Sequence, residues 1–193
     1  WYIHYLPNFN VDLFFWSLIL LLKFEIIYIA IMASRGELSH YNISTSFYSV
    51  MYSLMAVAAS AVTLYIAYIG FLFFKDSFPE LPNYYLWAIR LSIVIFVIFS
   101  FEGFAMGSRL NHTVGAVNDN SNWFIVGWSK TAGDLRVSHF IGMHALQVLP
   151  VLSFYLLKNT RATIVVSILY GLLALSTLIH AVQGKPLFTP KQD

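Results

Sequence analysis

The chain has 193 residues and a formal net charge of +2; 59% of its residues are hydrophobic and only 10% are charged. Soluble domains carry about 25% charged residues, so this composition excludes an ordinary water-facing surface and predicts a polytopic protein in a lipid bilayer. The small net charge gives no reason to expect a nucleic-acid partner, and the absence of Cys excludes disulfides, thiolate metal sites and covalent c-type haem attachment.

Five apolar stretches are long enough to cross the hydrocarbon core, which takes about 20 residues of helix. They cover residues 12–34, 46–74, 84–107, 136–157 and 161–183. Lipid cannot satisfy backbone polar groups, so each span is predicted to be a helix. The predicted fold class is an all-α integral membrane bundle in one transmembrane domain. The first residue is Trp rather than Met, so we expect the natural N-terminus to be missing.

If the five spans alternate in direction, one membrane face collects most of the ionisable side chains. Glu25 and Glu102 lie inside the first and third spans, in the halves nearest this face. Five of the six histidines lie on or near it: His40, His112, His139, His144 and His180. We expect this face to be extracytoplasmic in a bacterial inner membrane. Its six Lys and Arg residues, against four on the other face, would alone favour the cytoplasm.

Ionisable groups inside a span are costly, at roughly 2.5–3.5 kcal/mol each on insertion scales, unless they are paired, hydrated or metal-bound. Imidazoles and carboxylates that converge in one leaflet suit haem iron or another transition metal. The predicted cofactor-binding residues are His144, His180, His139, His40 and His112, and the predicted metal ligands are Glu25, Glu102, His139 and His144. In particular, His144 and His180 could offer two imidazoles to one iron. No catalytic residue is predicted.

The spacing limits how these residues can cooperate. His139 and His144 are five residues apart, about 140° around a helix, so they cannot ligate one ion as an i, i+4 pair does. Glu102 also has a structural interpretation, as a partner of Arg109 or Arg136. Asp134 suits the N-cap of the fourth span, and Arg136 opposes the helix dipole and so needs a carboxylate or an anionic head group. The remaining polar residues assigned to the site are Arg35, Asn42, Arg109, Asp134, Arg136 and Gln147.

Three sequence blocks resemble a family of uncharacterised bacterial multi-pass membrane proteins. They are RGELSHYN at residues 35–42, Glu102-Gly with HTVG at 112–115, and GDLRVSHFIGMHALQ at 133–147. The resemblance covers the first to fourth spans and implies about two further N-terminal helices, or about seven spans in all. Family members tend to have a Gly- and Pro-rich loop before the last block, where this chain has the polar stretch 117–122. The resemblance implies no activity.

Three functions remain open. The first is a membrane protein, acting alone or as a subunit of a larger complex, that binds haem or a transition metal for electron transfer or other redox chemistry. The second is a zinc-dependent lipid hydrolase similar to ceramidase-like enzymes, although those enzymes pair His at a four-residue offset that His139 and His144 lack. The third is an accessory or scaffold subunit, or a transporter, whose polar groups pair across helices. The sequence does not decide whether the protein is an enzyme.

Overall fold

The computed structural model describes residues 2–7, 9–115 and 122–188, which fall into two compact units, Trp1–Asp76 and Ser77–Asp193. Five helices in these ranges are long and apolar enough to cross a membrane: Val11–Ser34, Ser46–Lys75, Asn83–Arg109, Leu135–Leu157 and Thr160–Val182. Their ends lie within two residues of the predicted ones. The all-α membrane class predicted from the sequence is therefore confirmed.

The first unit consists of a short 3-10 helix, Tyr2–Tyr5, followed by α1 (Val11–Ser34) and α2 (Ser46–Lys75). Both long helices begin at a side-chain cap, which satisfies backbone amides that have no partner in the first turn. The Asn10 side chain accepts from the Leu13 amide, and the Thr45 side chain accepts from the Tyr48 amide.

The two helices of the first unit share a small core, while most of their apolar surface faces outward. Tyr28, Met32 and Met55 are buried together. On the outside of α1, Trp16 and Leu20 are 66% and 71% exposed. Large apolar side chains along the length of a helix are expected to face lipid rather than water. The unit is therefore built to be surrounded by bilayer.

The described residues of the second unit form four α-helices and one pair of very short strands. The helices are α3 (Asn83–Phe101), α4 (Gly103–Arg109), α5 (Leu135–Leu152) and α6 (Thr160–Val182), and the strands are β1 (Thr113–Val114) and β2 (Gly133–Asp134). The strands are antiparallel, with Thr113 opposite Asp134. A π-helical turn, Ser153–Leu157, extends α5, and α5 packs against both α3 and α6.

Small residues allow these helices to approach closely, which is how membrane helices commonly associate. A Cβ on Gly142 of α5 would overlap the Phe99 ring of α3, and one on Gly133 would overlap the Ala181 carbonyl of α6. At the opposite end of α5, the buried Ser153 hydroxyl donates to the Tyr84 carbonyl and also bonds the Thr163 hydroxyl, at 3.0 and 2.9 Å. Glycine contacts and hydroxyl bonds thus fix the rotation of α5 between its neighbours.

The third span differs from its prediction in one respect, because it is interrupted. α3 ends at Phe101, Glu102 forms a turn, and α4 begins at Gly103. The predicted polar stretch 117–122 lies outside the described residues except for Asn122.

Candidate functional site

Glu102 lies at the break between α3 and α4 and contacts α5. Its Oε1 accepts a hydrogen bond of 2.5 Å from the Ser138 hydroxyl, which also lies 3.0 Å from the Leu135 carbonyl. Its Oε2 is buried and has no hydrogen-bond partner within the described ranges. The expected pairing of Glu102 with Arg109 or Arg136 is therefore wrong; the partner is a neutral hydroxyl.

His139 is held in one tautomer by the backbone of α3. Its Nδ1 lies 2.7 Å from the Phe99 carbonyl oxygen, and a carbonyl can only accept, so Nδ1 carries the hydrogen. The neutral ring then has its lone pair on Nε2. In an unbroken helix the Phe99 carbonyl would accept from the Gly103 amide, and the break at Glu102 lies between these two residues. We call Phe99, Glu102, Ser138 and His139 the Glu102–His139 centre.

Gly103 also helps to form this centre. A Cβ added at Gly103 would lie 3.6 Å from Cε1 of His139, so the imidazole packs against the first residue of α4. The His139 ring therefore meets the Phe99 carbonyl on one side of the helix break and Gly103 on the other, while the Glu102 carboxylate contacts the adjacent Ser138.

His144 lies on a different, exposed face of α5, as the 140° rotation requires. Its Nδ1 is 2.8 Å from the Phe140 carbonyl, so its Nε2 also carries the lone pair. The His144 ring lies 4.0 Å from the Phe140 ring, which in turn contacts Trp128 at 5.7 Å. Gln147 is exposed one turn further along.

Asp134 and Arg136 organise the loop that leads into α5. Asp134 is only 4% exposed, caps α5 through the Arg136 amide, and accepts from the Ser129 amide. The Arg136 guanidinium contacts the Asp134 carboxylate at 2.6 Å and donates to the Gly127 carbonyl. The N-cap prediction is confirmed, and the carboxylate that Arg136 needed is Asp134. These groups anchor a loop.

His112 and His180 lie near this anchor. The His112 carbonyl accepts from the Leu135 amide, and the pKa of its imidazole is lowered from 6.5 by burial and by Arg136, with Asp134 opposing. His180 is exposed and lines a small cavity with Asp134 and Lys185. No ring contact between His144 and His180 occurs among the described residues. Arg109 is exposed at the end of α4.

Glu25 and His40 form a separate pair in the first unit. Nε2 of His40 lies 4.0 Å from Oε1 of Glu25, and Nδ1 lies 3.0 Å from the Ser39 hydroxyl. The imidazole contacts the rings of Tyr41 and Tyr52 edge-on. Burial lowers the pKa of His40, and the Glu25 charge partly opposes this effect.

Asn42 and Arg35 belong to the loop that carries His40. Asn42 is buried and ties the loop together: its amide donates to the Leu38 carbonyl, and its Oδ1 accepts from the Ser44 amide and hydroxyl. Arg35 is the exposed C-cap of α1. The side-chain polar atoms of Asn42 thus form hydrogen bonds within the loop that contains Asn42.

The sequence prediction missed two parts of the Glu102–His139 centre. Ser138 directly precedes His139 in the sequence, so the selection of His139 could have pointed to Ser138 as well. The Phe99 carbonyl has no side-chain signal at all. Within residues 2–7, 9–115 and 122–188, no group of three or more His, Cys, Asp or Glu side chains is placed to hold a metal ion.

Comparison of the chain with protein-family models, with curated proteins and with solved structures finds no match.

Proposed function

We propose that this membrane protein binds haem iron or another transition-metal ion through a histidine of α5 and serves in electron transfer or related redox chemistry. The observation that carries the proposal is the 2.7 Å hydrogen bond from His139 Nδ1 to the Phe99 carbonyl. Metal-ligating histidines almost always donate their other ring N–H to a carbonyl or carboxylate, which fixes the tautomer and raises the basicity of the ligating nitrogen.

Glu102 gives this interpretation electrostatic support. A carboxylate inside a span is costly unless a nearby charge or ligand compensates it. Its Oε1 receives only a neutral hydroxyl, while Oε2 is buried without a partner in the described ranges. A cation bound at His139 Nε2 would offset the charge of this carboxylate, which contacts Ser138, the residue before His139.

The number of ligands favours haem or a site completed by another subunit. The Glu102–His139 centre supplies one imidazole and one carboxylate. A haem iron needs only one or two axial side chains from the protein, whereas a catalytic zinc needs about three protein ligands and a water. His144 has the same tautomer but lies on another, exposed face of α5, so it would ligate a separate group between α5 and a partner helix.

A second candidate function is an accessory subunit or transporter without a cofactor. Asp134, Arg136 and Asn42 favour it, because their hydrogen bonds lie within their own loops. In either case we place the chain in the bacterial inner membrane, with the Glu102 end of the spans extracytoplasmic. We also propose that it belongs to the uncharacterised multi-pass family that its sequence blocks resemble.

The test is an absorption spectrum and elemental analysis of the detergent-purified full chain, expressed with iron and a haem precursor supplied. We expect a Soret band or bound metal that is lost in His139→Ala and partly restored by added imidazole. His4→Ala is the matched control, since His4 is an exposed histidine that is assigned to no site, and it should keep the spectrum. A colourless, metal-free wild-type preparation would end the proposal.

A further inference from the structure

A short hairpin between β1 and β2 exposes its most apolar residues. Asn122 and Ser129 pair across it, and the Trp123 amide donates to the Trp128 carbonyl at 2.8 Å. The tip is Phe-Ile-Val at residues 124–126, and Phe124 and Ile125 are both more than 90% exposed. We call residues 122–129 the apolar hairpin.

The apolar hairpin is held at its base by polar contacts. The buried Asp134 accepts from the Ser129 amide at 3.0 Å, and the Arg136 guanidinium donates to the Gly127 carbonyl. The Lys130 ammonium lies 5.1 Å from the centre of the Trp123 ring. These contacts hold the base of the apolar hairpin against the first turn of α5 and leave its tip exposed.

One residue of the apolar hairpin, Trp128, contacts the membrane-spanning part of α5. The Trp128 ring contacts Phe140, which lies on the exposed face of α5. Phe140 is five residues past Leu135, so it lies about 7.5 Å along the helix axis at about 1.5 Å per residue. Trp128 thus lies beside the first turns of a helix that is long and apolar enough to cross the bilayer.

We propose that residues 124–126 insert into the lipid acyl chains around α5, with Trp123 and Trp128 at the head-group level. Indole rings concentrate at membrane interfaces, and a Lys over an aromatic ring can extend its ammonium to anionic head groups. A tip of three exposed apolar residues gains the free energy of leaving water when it enters lipid, without any change in fold. This surface is independent of any cofactor at His139.

The absence of Cys allows a single nitroxide label to report where the tip lies. Phe124→Cys is labelled in the full chain and reconstituted into vesicles of phosphatidylcholine and phosphatidylglycerol. Collision of the label with oxygen, which partitions into lipid, is compared with collision with a water-soluble nickel chelate. Ser108→Cys, exposed at the end of α4, is the aqueous control, and Ile168→Cys, exposed in α6, is the lipid control.

We expect the label at 124 to behave like the label at 168, with oxygen accessibility exceeding nickel accessibility several-fold, and the label at 108 to show the reverse. Because the Phe124 side chain is fully exposed, its replacement should leave the fold intact, and circular dichroism checks this. Nickel accessibility at 124 equal to that at 108 would place the tip in water and overturn the proposal. Protection from both reagents would mean that protein covers the tip, and would overturn it equally.

Discussion

His112 shows how one side chain outside the spans can make stability depend on pH. Burial and Arg136 lower its pKa from 6.5, with Asp134 opposing. Near pH 6.5 the unfolded chain therefore takes up a proton that the folded chain still excludes. The free energy of unfolding should fall as the pH is lowered through this window, and the stabilisation is complete only above it.

We predict that His112→Gln makes thermal unfolding in detergent less dependent on pH between about 7.5 and about 5.5. Gln keeps a polar side chain but takes up no proton. His40→Gln should remove a separate share of the dependence, because burial also lowers the pKa of His40. An unchanged pH slope in His112→Gln would show that this imidazole does not titrate differently on unfolding.

Ser138 should contribute to stability through its bond to Glu102. Ser138→Ala removes the donor to Oε1 and leaves a second oxygen of this carboxylate without a protein donor. Loss of a partner to a buried polar group costs about 1–3 kcal/mol, which denaturant titration in detergent would measure. Ser176→Ala is the control, since this exposed serine donates to the Leu173 carbonyl of its own helix.

A double-mutant cycle separates this contact from a general effect of losing a hydroxyl. If the bond matters, Ser138→Ala should cost less in a Glu102→Gln background than in the wild-type chain, because the carboxylate is gone. Equal costs in the two backgrounds would mean that Ser138 acts through its other contact, with Leu135.

At the scale of the helices, Gly142 sets the distance between α3 and α5. Gly142→Ala would place a Cβ inside the Phe99 ring, and overpacking of a tight contact costs about 1–3 kcal/mol. Gly171→Ala on α6 is the matched control, because its added Cβ would meet Ile95 at 3.4 Å, an ordinary contact. Denaturant titration of both variants tests this, and equal stabilities would show that the helices separate at no cost.

The sequence predicted the helices well because their signal is local. Each span is about 20 or more apolar residues bounded by polar caps such as Asn159 and Asp134, and such a run is visible without any tertiary information. The break at Glu102 was not predicted, because hydropathy continues across Phe101-Glu-Gly103 and membrane helices tolerate glycine. The β1–β2 pair was missed because two-residue strands carry no periodic pattern.

At the scale of the whole chain, the sequence predicted which residues are polar inside spans, but not how they pair. The contact of Ser138 with Glu102 joins residues 36 apart in sequence, and it depends on how far α5 rotates about its axis. Gly142 and Ser153 set that rotation through close contacts with α3 and α6. Such packing cannot be deduced from a single sequence. Arg109 and Arg136 were therefore reasonable but wrong partners for Glu102.

The position of α5 across the bilayer gives a prediction for the intact protein. Leu135–Leu157 is long and apolar enough to cross a membrane, so the loops at its two ends should lie on opposite sides. We predict that a membrane-impermeant thiol reagent applied to intact cells labels only one of the two variants Ser108→Cys and Arg161→Cys. If the Glu102 end of the spans is extracytoplasmic, the labelled variant is Ser108→Cys. Both positions are exposed, and detergent-permeabilised cells provide the control in which both should react. Labelling of both in intact cells would contradict a spanning α5.

Phe99 performs two tasks with different parts of one residue. Its ring fills the space that Gly142 leaves open, and its carbonyl fixes the tautomer of His139. A steric change that moves the Phe99 backbone also shifts the oxygen that orders the imidazole. The packing of α3 against α5 and the tautomer of His139 are thereby coupled through Phe99. A steric change at Gly142 can therefore alter the properties of His139 Nε2.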